Sequence, residues 1–254
     1  MTDSGMLTVK TPTEMHDDLE NLGMSFEYGC VRENNPVSCH SWAVWCQNYK
    51  KMLHRTVDIF RENCFKRHYA DSCFQLGSMK VIGDTGVLRD PLEAYQAFEH
   101  GCKAGKQGKC CQAAGRLVAE GIASHTPDLS TALPLFRLGC QYNLPESCFH
   151  LGGAAMVLAK QAKQVQKPTI ADTLNSDKSV SSGNSHQDHQ QQQQQLLSEA
   201  FKAWMDGCRL GHELSCRNIA KMYTNGDGGV EVDKVKADEY LAKAEELAKK
   251  STKT

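Results

Sequence analysis

The chain has 254 residues, 40% of them hydrophobic, with 29 basic and 30 acidic side chains, a formal net charge of −1 and twelve cysteines. That balance leaves no basic excess to neutralise phosphates or anionic lipid, so neither nucleic acid nor a membrane surface is an expected partner. No apolar run reaches the roughly 18 residues that cross a bilayer, so no membrane span is expected.

Residues 1–14 are read as a disordered N-terminus. The opening stretch MTDSGMLTVKTPTEMHDDLENLG carries acids and no arginine, so it shows neither the apolar core of a secretory signal nor the Arg-rich helix of a mitochondrial presequence. Taken alone it would read as cytosolic, where thiols stay reduced, and the density of cysteines disagrees with that.

From residue 15 the cysteines mark a repeat. Cys30 and Cys39, Cys64 and Cys73, and Cys102 and Cys111 are nine apart; Cys140 and Cys148, and Cys208 and Cys216, are eight apart. Cys64, Cys102 and Cys140 follow one another at 38 residues, and Cys208 comes 68 after Cys140. Four residues before each first cysteine stand Phe26, Phe60, Phe98, Phe136 and Trp204; four after each second stand Ala43, Gly77, Gly115, Gly152 and Ala220. Val57, Tyr95, Leu133 and Phe201 occupy the seventh position before the cysteine, and Ala94, Ala132 and Ala200 the eighth, which traces one helix face. Pro36 and Pro145 suit the first turn of a second helix, with Asn35 as its N-cap.

Residues 15–160 therefore read as four helical hairpins. Between hairpins, IGDTGVLRD (82–90) and NGDGGVEVD (225–233) supply glycines for the helix ends, while EGIASHTPD (120–128) departs from that pattern. Residues 161–195, rich in Gln, Ser, Asp and Asn and ending in six glutamines, are expected to be a disordered insertion of about 30 residues. Residues 196–233 form the fifth hairpin, and 234–254 a capping helix and tail. A hairpin of this size cannot cover its own apolar face, so neighbours must stack; the predicted fold is all-α, an α-solenoid.

The Leu-Gly pairs at 76–77 and 151–152, the Ala/Phe positions and the Gly-rich loops resemble the Sel1-like, TPR-like repeat family. The paired cysteines narrow the resemblance to the cytochrome c oxidase assembly factor 7 family, over about Leu19 to Lys250. The Gln-rich insertion departs from that family's compact form and marks a divergent member. The resemblance implies a non-enzymatic assembly factor or chaperone of the mitochondrial intermembrane space, needed for biogenesis of complex IV and acting as a monomer. Its implied partners are complex IV assembly components and, during import, the thiol oxidoreductase of that compartment. Haem handling is implied by the resemblance alone; no paired His, Met or Cys motif in the sequence carries it.

The register puts each first cysteine near the end of one helix and its partner in the first turn of the next. Small side chains are required at such a crossing whatever their chemistry, so for any single pair Cys could stand in for Ala. Repetition in all five units favours disulfides, each worth roughly 2.5 to 3 kcal/mol in the loop-entropy model. Structural zinc takes cysteines about two to four residues apart, which these are not, so no metal site is expected. Cys110 lies eight residues from Cys102, the spacing of the last two pairs, and competes with Cys111; Cys111 is chosen because it keeps Gly115 in register with Gly77 and Gly152. Cys110 and Cys46 are then free thiols, Cys46 a buried small hydrophobe beside Trp45. No nucleophile elbow, phosphate loop, HExxH or SxxK motif is present, and no catalytic residue is expected. The alternative reading is an exported or endoplasmic-reticulum Sel1-like protein acting as a peptide- or peptidoglycan-binding adaptor or hydrolase.

Overall fold

The computed structural model describes residues 10–83, 86–123, 126–165 and 183–251, and every regular element among them is helical. In chain order these are α1 (Pro12–Val31), α2 (Pro36–Asn48), α3 (Leu53–Phe65), α4 (Ala70–Ile82), α5 (Pro91–Lys103), α6 (Gly108–Ala119), α7 (Leu129–Gln141), α8 (Pro145–Val165), α9 (Gly183–Arg209), α10 (Glu213–Asn225), a 3-10 turn at Asp227–Gly229, and α11 (Lys234–Ser251). α1 with α2, α3 with α4, α7 with α8 and α9 with α10 pair as hairpins, Cys102–Cys111 bridges the end of α5 to α6, and α11 follows α10.

Two segments read as disordered are partly helical. α1 begins at Pro12, because Thr11 and Glu14 form a reciprocal capping box and proline suits the first helical position. In the 161–195 segment α8 runs on to Val165 and α9 opens at Gly183, leaving 166–182 outside the described residues, as are 1–9. Glutamine is a good helix former, and α9 lies along α8, so tertiary packing carries the helix through a stretch whose composition alone lacks apolar content.

Four helices start on an Asn or Asp cap. Asn35 accepts from the backbone N–H of Val37 and Ser38, at 2.9 and 3.2 Å. Asp90, Asp128 and Asp233, each closing an inter-hairpin loop, accept from the N–H three residues on, at 2.9, 3.0 and 3.0 Å. The aspartate of the loop pattern is therefore an N-cap. Inside each hairpin the turn needs one left-handed residue, supplied by Asn34, His68, Lys106, Asn143 and Gly211.

The chain divides into two compact units, Met1–Gly101 and Cys102–Thr254. In the first, the Trp45 ring fills the space over Gly23 and its Nε1 donates to Leu19 O at 2.8 Å, fastening α2 to α1. Phe60 is fully buried, Thr56 donates to Ala43 O at 3.4 Å, and Phe98 lies on Gly77, where a β-carbon would stand 2.5 Å from the ring. In the second unit Phe136 lies on Gly115 in the same way, at 2.6 Å, and Trp204 covers Gly152 while donating Nε1 to Phe149 O at 3.1 Å. The aromatic residue before one cysteine pair thus enters the gap left by the small residue after the preceding pair, which is the physical reason for the shared register. α11 closes the second unit by burying Ala237 and Ala244 and stacking Tyr240 on Tyr223. Asp233 stands twelve residues before Glu245, as Asp90 does before Cys102 and Asp128 before Cys140, so α11 keeps the register of a first repeat helix.

Candidate functional site

The chemistry-bearing feature that recurs along the chain is the hairpin corner. Cys30–Cys39, Cys64–Cys73, Cys102–Cys111, Cys140–Cys148 and Cys208–Cys216 are disulfides with Cα atoms 4.4 to 4.8 Å apart. Between Cys110 and Cys111, it is Cys111 that bonds Cys102.

Beside each bridge sits a second pair that the cysteine pattern conceals. A β-carbon on Gly29 would meet Ser38 Oγ at 2.5 Å, one on Gly207 would meet Ser215 Oγ at 2.5 Å, and Gly139 faces Ser147 in the same way. The signal was visible in sequence as the residue before each cysteine. The second hairpin breaks the pattern: Asn63 stands where glycine does elsewhere and is wholly buried. Its Nδ2 donates to Pro36 O and Ser72 Oγ, both at 2.8 Å, and Ser72 Oγ meets His40 Nδ1 at 3.0 Å. Asn63 Oδ1 has no hydrogen-bond partner among the described residues. Burial holds the His40 pKa below its ordinary value, with Asp71 pulling the other way.

In the third hairpin Cys110 occupies the serine place. It is buried, and its thiol donates to Gln107 Oε1 at 2.9 Å. Cys46 is also buried, and burial pushes its thiol pKa up, against a smaller opposing pull from Arg55. A thiol so placed stays protonated and is a poor nucleophile.

Among the described residues of the first unit, charge enters the core at Lys80. Lys80, 9% exposed, pairs with Glu93 at 2.8 Å, and Arg61 reaches the other oxygen of Glu93 at 2.7 Å. Burial alone would raise the Glu93 pKa, but the two cations outweigh it and hold the carboxylate below its ordinary value.

The second unit holds two open grooves along α9. One, of about 640 Å3, lies among Arg137, Leu151, Gln191, Gln194, Glu199 and Lys202, with the Arg137 guanidinium bonded to both Glu199 oxygens at 2.6 and 3.1 Å. The other, of about 390 Å3, is lined by Leu133, Leu158, His189, Gln192 and Leu196. Neither sets a pair of His, Met or Tyr donors across an apolar slit, so the residues do not fit a doubly ligated haem. Among the described residues no group of three His, Cys, Asp or Glu could hold a metal ion, and no helix is long and apolar enough to cross a membrane.

The structure of a Sel1 repeat protein from Oxalobacter formigenes superposes with a TM-score of 0.56 at 16% identity, over 89% of this chain and 79% of that one. The fold is a Sel1-repeat solenoid. Its Sel1 hairpins differ from one another in the Gly, Asn or Cys details above but share the disulfide. No protein-family model matches the chain. Cytochrome c oxidase assembly factor 7 of Xenopus tropicalis is 29% identical over 247 residues, 96% of this chain and 93% of that protein. The homolog of that factor in Drosophila melanogaster is 24% identical over 94% of this chain and 91% of its own length. The Danio rerio factor is 32% identical over 153 residues, 58% of this chain and 66% of that protein.

Proposed function

We propose that the chain is a disulfide-clamped scaffold that supports the assembly of complex IV, acts in the mitochondrial intermembrane space, and works by binding rather than catalysis. The observation that carries this reading is similarity along 96% of the chain to a protein named for cytochrome c oxidase assembly, together with five hairpin disulfides. Ten cysteines in structural bridges call for an oxidising compartment, and the intermembrane space is the one that reconciles disulfides with a respiratory-chain client. A binding role is supported by the two cysteines outside the bridges, which are buried, and by the larger groove, which is lined by amide side chains and the Arg137–Glu199 pair rather than by a nucleophile held next to a base. Import would be coupled to oxidation through a mixed disulfide with the resident thiol oxidoreductase.

The test is depletion of the protein in its own cells, followed by native-gel measurement of assembled respiratory complexes. Assembled complex IV should fall, complexes I and III should be spared, and re-expression of the native chain should restore it. Normal complex IV after complete depletion would overturn the role. Protease protection that persists after the outer membrane is ruptured would overturn the compartment.

A further inference from the structure

Repeat stacking leaves one face of the first unit without the covering that its register predicts. In later hairpins the residue eight before the first cysteine, Thr56, Ala94, Ala132 or Ala200, is wholly buried, and the aromatic residue four before it is at most 6% exposed. A helix of the preceding hairpin with alanine or glycine at the contact, Ala43, Gly77, Gly115 or Gly152, supplies the cover. In α1 the same positions are Leu22 and Phe26, and Leu19 and Met15 continue the row at helical spacing. Among the described residues its cover is incomplete: Leu22 is 45% exposed, Leu19 40% and Met15 48%, and Phe26 is half-buried.

We infer that this row docks a helix of a partner protein, one with a small residue opposite Phe26 and lysine or arginine along the flanks of its apolar stripe. The small residue follows from the repeat interface, which α1 reproduces on its open side. The basic flanks follow from charge. α1 carries Glu14, Asp17, Asp18, Glu20 and Glu27 and neither Lys nor Arg. Glu20 and Glu27 are paired with Lys50 and Arg55 on the side facing α2 and α3, and Glu14 is held in the Thr11 capping box, which leaves Asp18 beside the row. Among the described residues Asp18 meets only the exposed Lys10, a pair weak enough to be exchanged for an incoming cation. A second copy of α1 is the wrong occupant: it would bring like charges together and set Phe26 against large residues, since its two glycines, Gly23 and Gly29, are already covered by Trp45 and Ser38. The inference does not depend on the complex IV reading.

The test uses the full chain with its disulfides intact and a synthetic amphipathic helical peptide with a Leu/Ala stripe, a central Gly and Lys/Arg flanks, followed by fluorescence anisotropy. Saturable binding is expected, with affinity reduced at least roughly tenfold by Leu19→Lys or Leu22→Lys and unchanged by Met24→Lys or Tyr28→Lys on the opposite face. On the native chain, a peptide with Glu in place of Lys/Arg, or Leu in place of the central Gly, should bind at least roughly tenfold more weakly, which keeps the test decisive even where a Lys variant unfolds. Absence of saturable binding, or equal binding by the acidic and Leu-substituted peptides, would overturn the inference. So would a homodimer, seen by sedimentation, that Leu22→Lys dissolves.

Discussion

At the scale of single residues, the corner beside each disulfide is decided by the competition between helix propensity and close approach. Replacing glycine by alanine inside an exposed helix ordinarily gains about 1 kcal/mol. At Gly207 the added methyl would lie 2.5 Å from Ser215 Oγ and 3.3 Å from the Cys148 β-carbon, and overpacking of this kind costs about 1 to 3 kcal/mol. Gly207→Ala should therefore lower the urea midpoint, and adding Ser215→Gly should restore it by removing the clash; a single variant at least as stable as the native chain would show that the backbones part freely. His40 gives a pH prediction with a definite sign. Its folded pKa lies below the ordinary 6.5 because of burial, so the unfolded chain takes up the proton first as pH falls. Its contribution is complete above the unfolded value and is lost as pH falls from there through the folded one. The urea midpoint should drop as the pH falls below the ordinary value of 6.5, and His40→Gln should flatten part of that drop. His100 and His212, also lowered chiefly by burial, account for a slope that remains. The cysteine register was legible because five repeats impose one packing problem five times. The glycine–serine pair was equally visible but has no chemical signature, and Asn63 and Cys110, which break it, look like noise until the corner is seen.

At the scale of helices, the sequence pattern located the elements and missed some of their ends. Pro36, Pro145 and Asn35 announced the starts of α2 and α8 because proline and asparagine act locally. Asn34 and Asn143 are natural left-handed residues, whereas His68 and Lys106 hold the same conformation only because the hairpin imposes it, so composition could not reveal those turns. The glutamine row misled for a related reason: low apolar content signals disorder, but helix α9 needs only one face to rest on α8. The loop aspartates carry an element-scale prediction. Asp90 accepts from the Glu93 N–H at 2.9 Å, and its own N–H bonds to Lys80 O, so it both starts α5 and ties it to the end of α4. Asp90→Ala should cost about 1 kcal/mol in chemical denaturation, while Asp90→Asn, which keeps the accepting oxygen, should cost much less. Equal losses would mean that charge at the helix end, rather than the hydrogen bond, carries the effect.

At the scale of the whole molecule, the question is what the five bridges contribute beyond packing. Each closes a loop of eight or nine residues, which in the chain-entropy model stabilises by roughly 2.5 kcal/mol. Together they are comparable with the whole stability of an ordinary domain, about 5 to 15 kcal/mol. Against that stands the stacking of aromatic on small residue, which is intact in both units and independent of sulfur chemistry. The two can be separated with a chain in which all ten bridged cysteines are alanine, since alanine fits the buried corners and, unlike serine, leaves no unpaired hydroxyl there. If the bridges dominate, that chain should show weak helical circular dichroism at physiological temperature and no cooperative melt. Removing a single bridge as an alanine pair, Cys140→Ala with Cys148→Ala, should instead leave a cooperative melt lowered by about 2.5 kcal/mol at the midpoint. A cooperative, native-like melt of the ten-alanine chain would show that stacking alone holds the solenoid. The disulfides would then have to be explained by the route the protein takes to its compartment rather than by its fold.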